Sequence, residues 1–181
     1  MRISFLLVLI AIIGLSNCQK GDENPTPDNP LVEAGGGVLV ANEGGFNDGN
    51  ASVSYFHFED KSIRQGLFAE VNGRPLGDVL QSITLLGDKA YLVLNNSQRI
   101  EVVDVRTFES LGAIAVPGSP RYFLPVDEET AYVSDLFGGV VHVLSLSNQA
   151  VTLSIPLPQN WAEQMIKVGT EVLVSCPSSF G

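Results

Sequence analysis

From about residue 34 onward, apolar residues come in short runs bounded by Gly, Asn, Asp or Pro. Lys89–Leu94 (KAYLVL) and Arg99–Val105 (RIEVVDV) are the clearest, and Asn95–Gln98 (NNSQ) separates them. Runs of this length, rich in β-branched and aromatic residues and punctuated by turn formers, predict strands joined by tight turns. The pattern also repeats. Tyr91–Val105 aligns without a gap on Tyr132–Leu146, an offset of 41 residues. Ile100, Val102, Val103 and Val105 then fall on Val141, Val143, Leu144 and Leu146. The frame returns at Val172, and an earlier copy puts Val53, Tyr55, Phe56 and Phe58 on the same positions behind a longer loop. A strand-rich repeat of about 40 residues predicts a β-propeller with one four-stranded blade per repeat.

In the clearest copy Gln81–Leu86 is the innermost strand, Lys89–Leu94 the second, Arg99–Val105 the third and Leu111–Val116 the outer one. The next copy runs from Arg121 to about Leu157, with Ala150–Ile155 as its outer strand. A fourth opens at Ala162–Val168. The first, from Gly37 to about Phe68, lacks an innermost strand. The expected fold class is therefore all-β, a β-propeller of about three to four blades. Propellers close a ring with about four to eight blades, so the expectation is the N-terminal part of a truncated ring. A small open sheet is the alternative, and its free edges would invite association. On the first reading, residues 19–181 alone are expected to be aggregated, oligomeric or poorly folded.

The chain opens with Met1-Arg2 and the apolar stretch Ile3–Ile13. That stretch is shorter than the about 20 residues a spanning helix needs, so it predicts a secretory leader. Leu15-Ser16-Asn17-Cys18 resembles a bacterial lipobox, although Asn17 stands where Gly or Ala is usual. The expected organisation is a leader over residues 1–17, a lipidated Cys18 and flexible tether over 18–33, and the propeller over 34–181. Gln19–Pro30 contains no large apolar residue, which suits a tether. Cys18 to Glu23 also resembles the Lys-plus-acidic signal that sends lipoproteins to the outer face of a Gram-negative outer membrane. The expected location is lipid-anchored in that membrane and exposed at the cell surface. Cys176 is the second of two cysteines and reads as a small buried hydrophobe.

The net charge of −10 and the absence of a Lys/Arg cluster argue against nucleic acid, whose binding needs a positive footprint. No P-loop, nucleophile elbow or paired-cysteine motif occurs. His57 and His142 take different positions in the repeat frame, that of Asp104 and that of Glu101. Asp48 with Asn47 and Asn50 has calcium-like spacing but lacks the repeated acids and distal Glu of an EF-hand loop. The expectation is a non-enzymatic binding protein with no catalytic residue, metal or cofactor.

Two kinds of loop should share one end of such blades: those leading into the innermost strand and those joining the second and third strands. They carry Trp161, Arg121, Tyr122, Asn95, Asn96, Phe137 and Gln164. Amides and aromatics at a concave rim suit a polar ligand with flat apolar faces. Arg121 also has a second reading, as a structural hydrogen-bonding residue of the blade.

AYLVLNNSQRIEVVDVRTFESLGAI, with GSPRYF and TAYVSD after it, resembles the YVTN-repeat propellers, including the YncE-like group. Asn95, Asn96, Ser97, Val103, Asp104, Thr107, Gly118, Pro120 and Arg121 carry the likeness, which extends over roughly Gly37 to Cys176. The resemblance implies a ring that is usually seven-bladed. Together with the lipobox and PQNWAEQM, the chain is similar to BtuG-type surface lipoproteins. That implies capture of a corrinoid such as cobalamin and a TonB-dependent outer-membrane transporter as partner. The alternatives are an adhesive or protein-interaction propeller and a lactonase-type hydrolase.

Overall fold

The computed structural model describes residues 31–33 and 35–177. The leader, Cys18, the tether before residue 31 and the end of the last loop lie outside the described residues. Four antiparallel sheets follow one another along the chain. Blade one holds β1 (Gly37–Asn42), β2 (Ser52–His57) and β3 (Ile63–Arg64). Blade two holds β4 (Leu80–Leu86), β5 (Lys89–Leu94), β6 (Arg99–Asp104) and β7 (Ser110–Ala115). Blade three holds β8 (Pro120–Pro125), β9 (Thr130–Asp135), β10 (Val140–Ser145) and β11 (Ala150–Pro156). β12 (Met165–Val168) and β13 (Glu171–Val174) form two strands of a fourth. Each blade is a meander in sequence order. This is an open, partial β-propeller with the strand order the repeat predicts, and among the described residues blade one has no innermost strand.

The core shows why β5 is apolar at almost every position. A strand sandwiched between two blades must bury both faces, so the usual alternation is lost. Ala90, Leu92 and Leu94 pack with Val53, Tyr55, Leu67 and Phe68 of the blade-one region. Tyr91 and Val93, on the other face, pack with Phe123, Ala131 and Val133 of blade three. Tyr91 stacks on Phe123 at 4.3 Å between centroids and 12° between planes. The innermost strands are joined by side chains as well: Ser82 Oγ donates to the Arg121 carbonyl at 2.7 Å, and Thr84 Oγ1 to the Phe123 carbonyl at 3.0 Å.

One element departs from the strand pattern. Leu67–Asn72 forms a short helix, α1, flanked by Gly66 and Gly73 in the left-handed region. The repeat frame reads Leu67 and Phe68 as the end of a strand. They are instead buried against blade two from a helix. Asn72 fixes it there, donating to the Phe108 carbonyl and accepting from Ser110 N–H.

A candidate binding rim

Register places the predicted loops together. Leu80 of β4 pairs with Leu94 of β5, which pairs with Arg99 of β6. Pro120 likewise pairs with Asp135, and Met165 with Val174. Loops leading into innermost strands and loops joining second to third strands therefore share one end of the blades.

On that rim, polar side chains tie neighbouring loops together. Asn95 Nδ2 donates to the Pro120 carbonyl at 3.0 Å, joining blades two and three. Asn96 Nδ2 donates to Asn47 Oδ1 and to Asp78 Oδ2, joining blade two to the long first loop. Tyr122 donates its N–H to Ser134 Oγ at 3.2 Å. Gln164 is exposed and its carbonyl accepts from Ser175. Phe46 and Phe137 are 69% and 62% exposed. Trp161 lines a recess of about 360 Å³ with Gln159, Asn160 and Pro177. Its φ of 67° is a left-handed conformation that bulky residues rarely adopt, at a cost on the order of 1–2 kcal/mol.

Arg121 is committed to its own fold. Its Nε and Nη2 grip the two carboxylate oxygens of Glu163 at 3.1 and 3.0 Å, and Nη1 donates to Gln81 Oε1. The guanidinium and the carboxylate are 19% and 16% exposed. One side chain thus clamps three consecutive blades. Sequence reading singled out Arg121 but not Glu163, because carboxylate and cation lie 42 residues apart.

Two buried polar clusters were also missed. Glu101, 1% exposed, accepts from Arg74 at 2.6 Å and from Ser110 Oγ at 2.5 Å, with Arg99 Nε at 3.6 Å. At the equivalent position of blade three, His142 lies between Ser154 Oγ at 2.9 Å and Asp135 Oδ2 at 3.4 Å. The shared frame position of Glu101 and His142 was the available signal. Gly118, at φ +84°, makes room for the acid: a methyl group there would overlap the Asp135 carboxylate.

Burial acts to raise the pKa of Asp135. Hydrogen bonds from His142 and from the N–H groups of Gly138, Ser119 and Phe137 outweigh it, and the net direction is down. An acid with a lowered folded-state pKa stabilises the fold above its unfolded value, about 3.9. That contribution is lost as pH falls through the lower folded value. The stability gap between wild type and Asp135→Asn is therefore expected to be constant from pH 7 down to about 5 and to close below about pH 4. Urea midpoints across pH test this; a gap unchanged at pH 2 contradicts it.

A larger recess, about 700 Å³, lies elsewhere. Val32, Leu39, Tyr55, Ile83, Leu85, the Gly87-Asp88 turn and Val105 line it. It opens toward the opposite end of the blades, beside β1, which among the described residues pairs only with β2. Among the described residues, no group of three or more His, Cys, Asp or Glu side chains is placed to hold a metal.

Solved structures with this arrangement are propellers. A quinoprotein alcohol dehydrogenase-like protein from Bacteroides thetaiotaomicron superposes with a TM-score of 0.58 at 20% identity, over 78% of this chain and 33% of that one. The WD40 β-propeller domain of Doa1 gives 0.57 at 14% identity, over 77% and 43%. Hydrazine synthase from Kuenenia stuttgartiensis gives 0.57 at 15% identity, over 86% and 42%. At such identities the likeness is one of fold. The chain spans less than half the length of these structures. The class is thus a β-propeller protein. Within it, the chain belongs to the family described as Domain of unknown function (DUF5074), which matches residues 36–179. No curated protein matches.

Proposed function

We propose that this propeller is a lipid-anchored surface protein whose rim captures a nutrient non-enzymatically and passes it to an outer-membrane transporter. The ligand class is a large polar molecule with flat apolar faces. A corrinoid such as cobalamin is the best single candidate, and a TonB-dependent transporter is the partner. The observation that carries this reading is the rim itself: exposed Phe46 and Phe137, the amide-rich loops around Asn95 and Asn96, and Trp161 in strained backbone beside a recess. Exposed aromatics offer stacking area at low entropic cost, and amides offer both donors and acceptors to a ligand's edges. Arg121 and Glu163 neutralise each other and so serve as a rigid floor. Lipobox, tether and export signal supply the address.

Titration calorimetry of the mature protein with cyanocobalamin tests the ligand. Micromolar or tighter binding is expected, weakened at least about tenfold by Trp161→Ala or Phe137→Ala, as loss of one well-packed aromatic contact is worth about 1.4 kcal/mol or more. Absence of heat at micromolar concentrations overturns the corrinoid assignment.

A further inference from the structure

Asp135, His142 and Ser154 form a hydrogen-bonded line across three adjacent strands of blade three, running outward from the base of the loop that carries Phe137. The β10–β11 register sets His142 directly opposite Ser154. His142 is 4% exposed and Asp135 2%, whereas Ser154 is exposed. Asp135 Oδ1 accepts from the N–H groups of Phe137 and Gly138 at 3.0 and 2.8 Å, which leaves Oδ2 to face His142 Nε2 at 3.4 Å. An ionised carboxylate can only accept, so Nε2 carries the hydrogen. In the neutral ring Nδ1 is then the acceptor, and Ser154 donates its Oγ–H to it at 2.9 Å. The charged end of the line is dry and the hydroxyl end is wet. Nucleophilic catalysis needs that order, with a base bonded to the hydroxyl and a third group orienting the base. β7 is the outer strand next to β11, and the Gln149 side chain lies over its Gly112.

We propose that Ser154 is an activated nucleophile toward small carboxylic esters, with His142 as its general base and Asp135 as the positioning residue. The Ser154 Oγ attacks the ester carbonyl carbon while its proton passes to His142 Nδ1. The carbon–oxygen bond to the alcohol breaks, and the alcohol leaves with that proton. Water then attacks the acyl-serine, gives its proton to His142 and releases the acid as the proton returns to Ser154 Oγ. The net reaction is ester plus water to acid plus alcohol. This activity is independent of ligand capture at the rim.

A fluorophosphonate probe tests it in the folded full-length protein: an Oγ–P bond forms, the P–F bond breaks and fluoride leaves. Peptide mapping of the wild type should place the label on Ser154, at least about tenfold faster than on any other exposed serine. His142→Gly should slow labelling on the order of 100-fold, the usual worth of a general base, and added imidazole should restore it. Ser154→Ala should melt like wild type and hydrolyse p-nitrophenyl acetate no faster than buffer. The wild-type map decides by itself, whatever the variants do: label absent from Ser154, or no faster there than on Ser147, overturns the proposal. So does failure of imidazole to rescue a folded His142→Gly.

Discussion

Glu101→Ala is expected to destabilise the protein by about 3 kcal/mol, and Glu101→Gln by distinctly less. The carboxylate is 1% exposed and faces Arg74 and Arg99. The assembled cluster is worth little against an apolar equivalent, because desolvating the charges offsets their attraction. Breaking it is another matter. Alanine leaves the Arg74 guanidinium without its carboxylate acceptor and Arg99 without its counter-charge, and leaves a gap beside β6. Loss of one partner of a buried pair typically costs about 3–5 kcal/mol. The lower end applies here because Arg74 and Arg99 are 44% and 33% exposed and can recover some water. Glutamine keeps an acceptor oxygen for Arg74 and Ser110 at nearly the same volume. At about 2–4 °C per kcal/mol for a chain of this size, alanine should lower the melting temperature by about 6–12 °C. Equal effects of alanine and glutamine would show that the site is held by packing and not by charge.

The blade architecture was legible because it is written twice over. Short apolar runs between turn formers mark strands, and a repeat of about 40 residues marks their grouping. Lys89–Leu94 has the same bounds in sequence reading and structure, because Gly87-Asp88 and Asn95–Gln98 leave no other frame. Helix α1 was hidden for the opposite reason. Six residues are too few to show a 3.6-residue period, and Leu67-Phe68 looks the same whether a strand or a helix buries it. The rim loops were legible as loops, since register carries them to one end once the strands are right. Their pairings were not. Arg121 with Glu163, Asn96 with Asp78 and Arg74 with Glu101 are contacts between blades or loops far apart in sequence, and no local pattern reports who stands opposite whom. The His142 cluster shows a subtler limit. A single histidine in an apolar strand is uninformative until the cross-strand neighbour is known, and register supplies Ser154.

Residues 19–181 as an isolated polypeptide are expected to self-associate through the two end faces of the blade series. In blade one, Leu39 points into the core shared with blade two, so Val38 and Val40 point the other way, 45% and 42% exposed, beside Ile63 at 63%. In blade four, Lys167 reaches back to the Val126 carbonyl of blade three. Ile166, Val168 and Leu173 therefore face outward and are 60%, 54% and 56% exposed. Inside the series, the same positions are covered by the next blade. Burying one such side chain is worth roughly 1.5–3 kcal/mol, against a net domain stability of about 5–15 kcal/mol. The faces differ, so contact between them is head-to-tail and does not close at two copies unless the rotation permits it. Sedimentation at micromolar concentration should show dimers and larger species that grow with concentration. Ile63→Lys combined with Ile166→Lys should weaken association about 100-fold or more, since each substitution removes roughly 1.5 kcal/mol or more. The double variant should then melt as a monomer, whereas a monodisperse, cooperatively melting wild-type monomer would mean that these faces are stable in water uncovered.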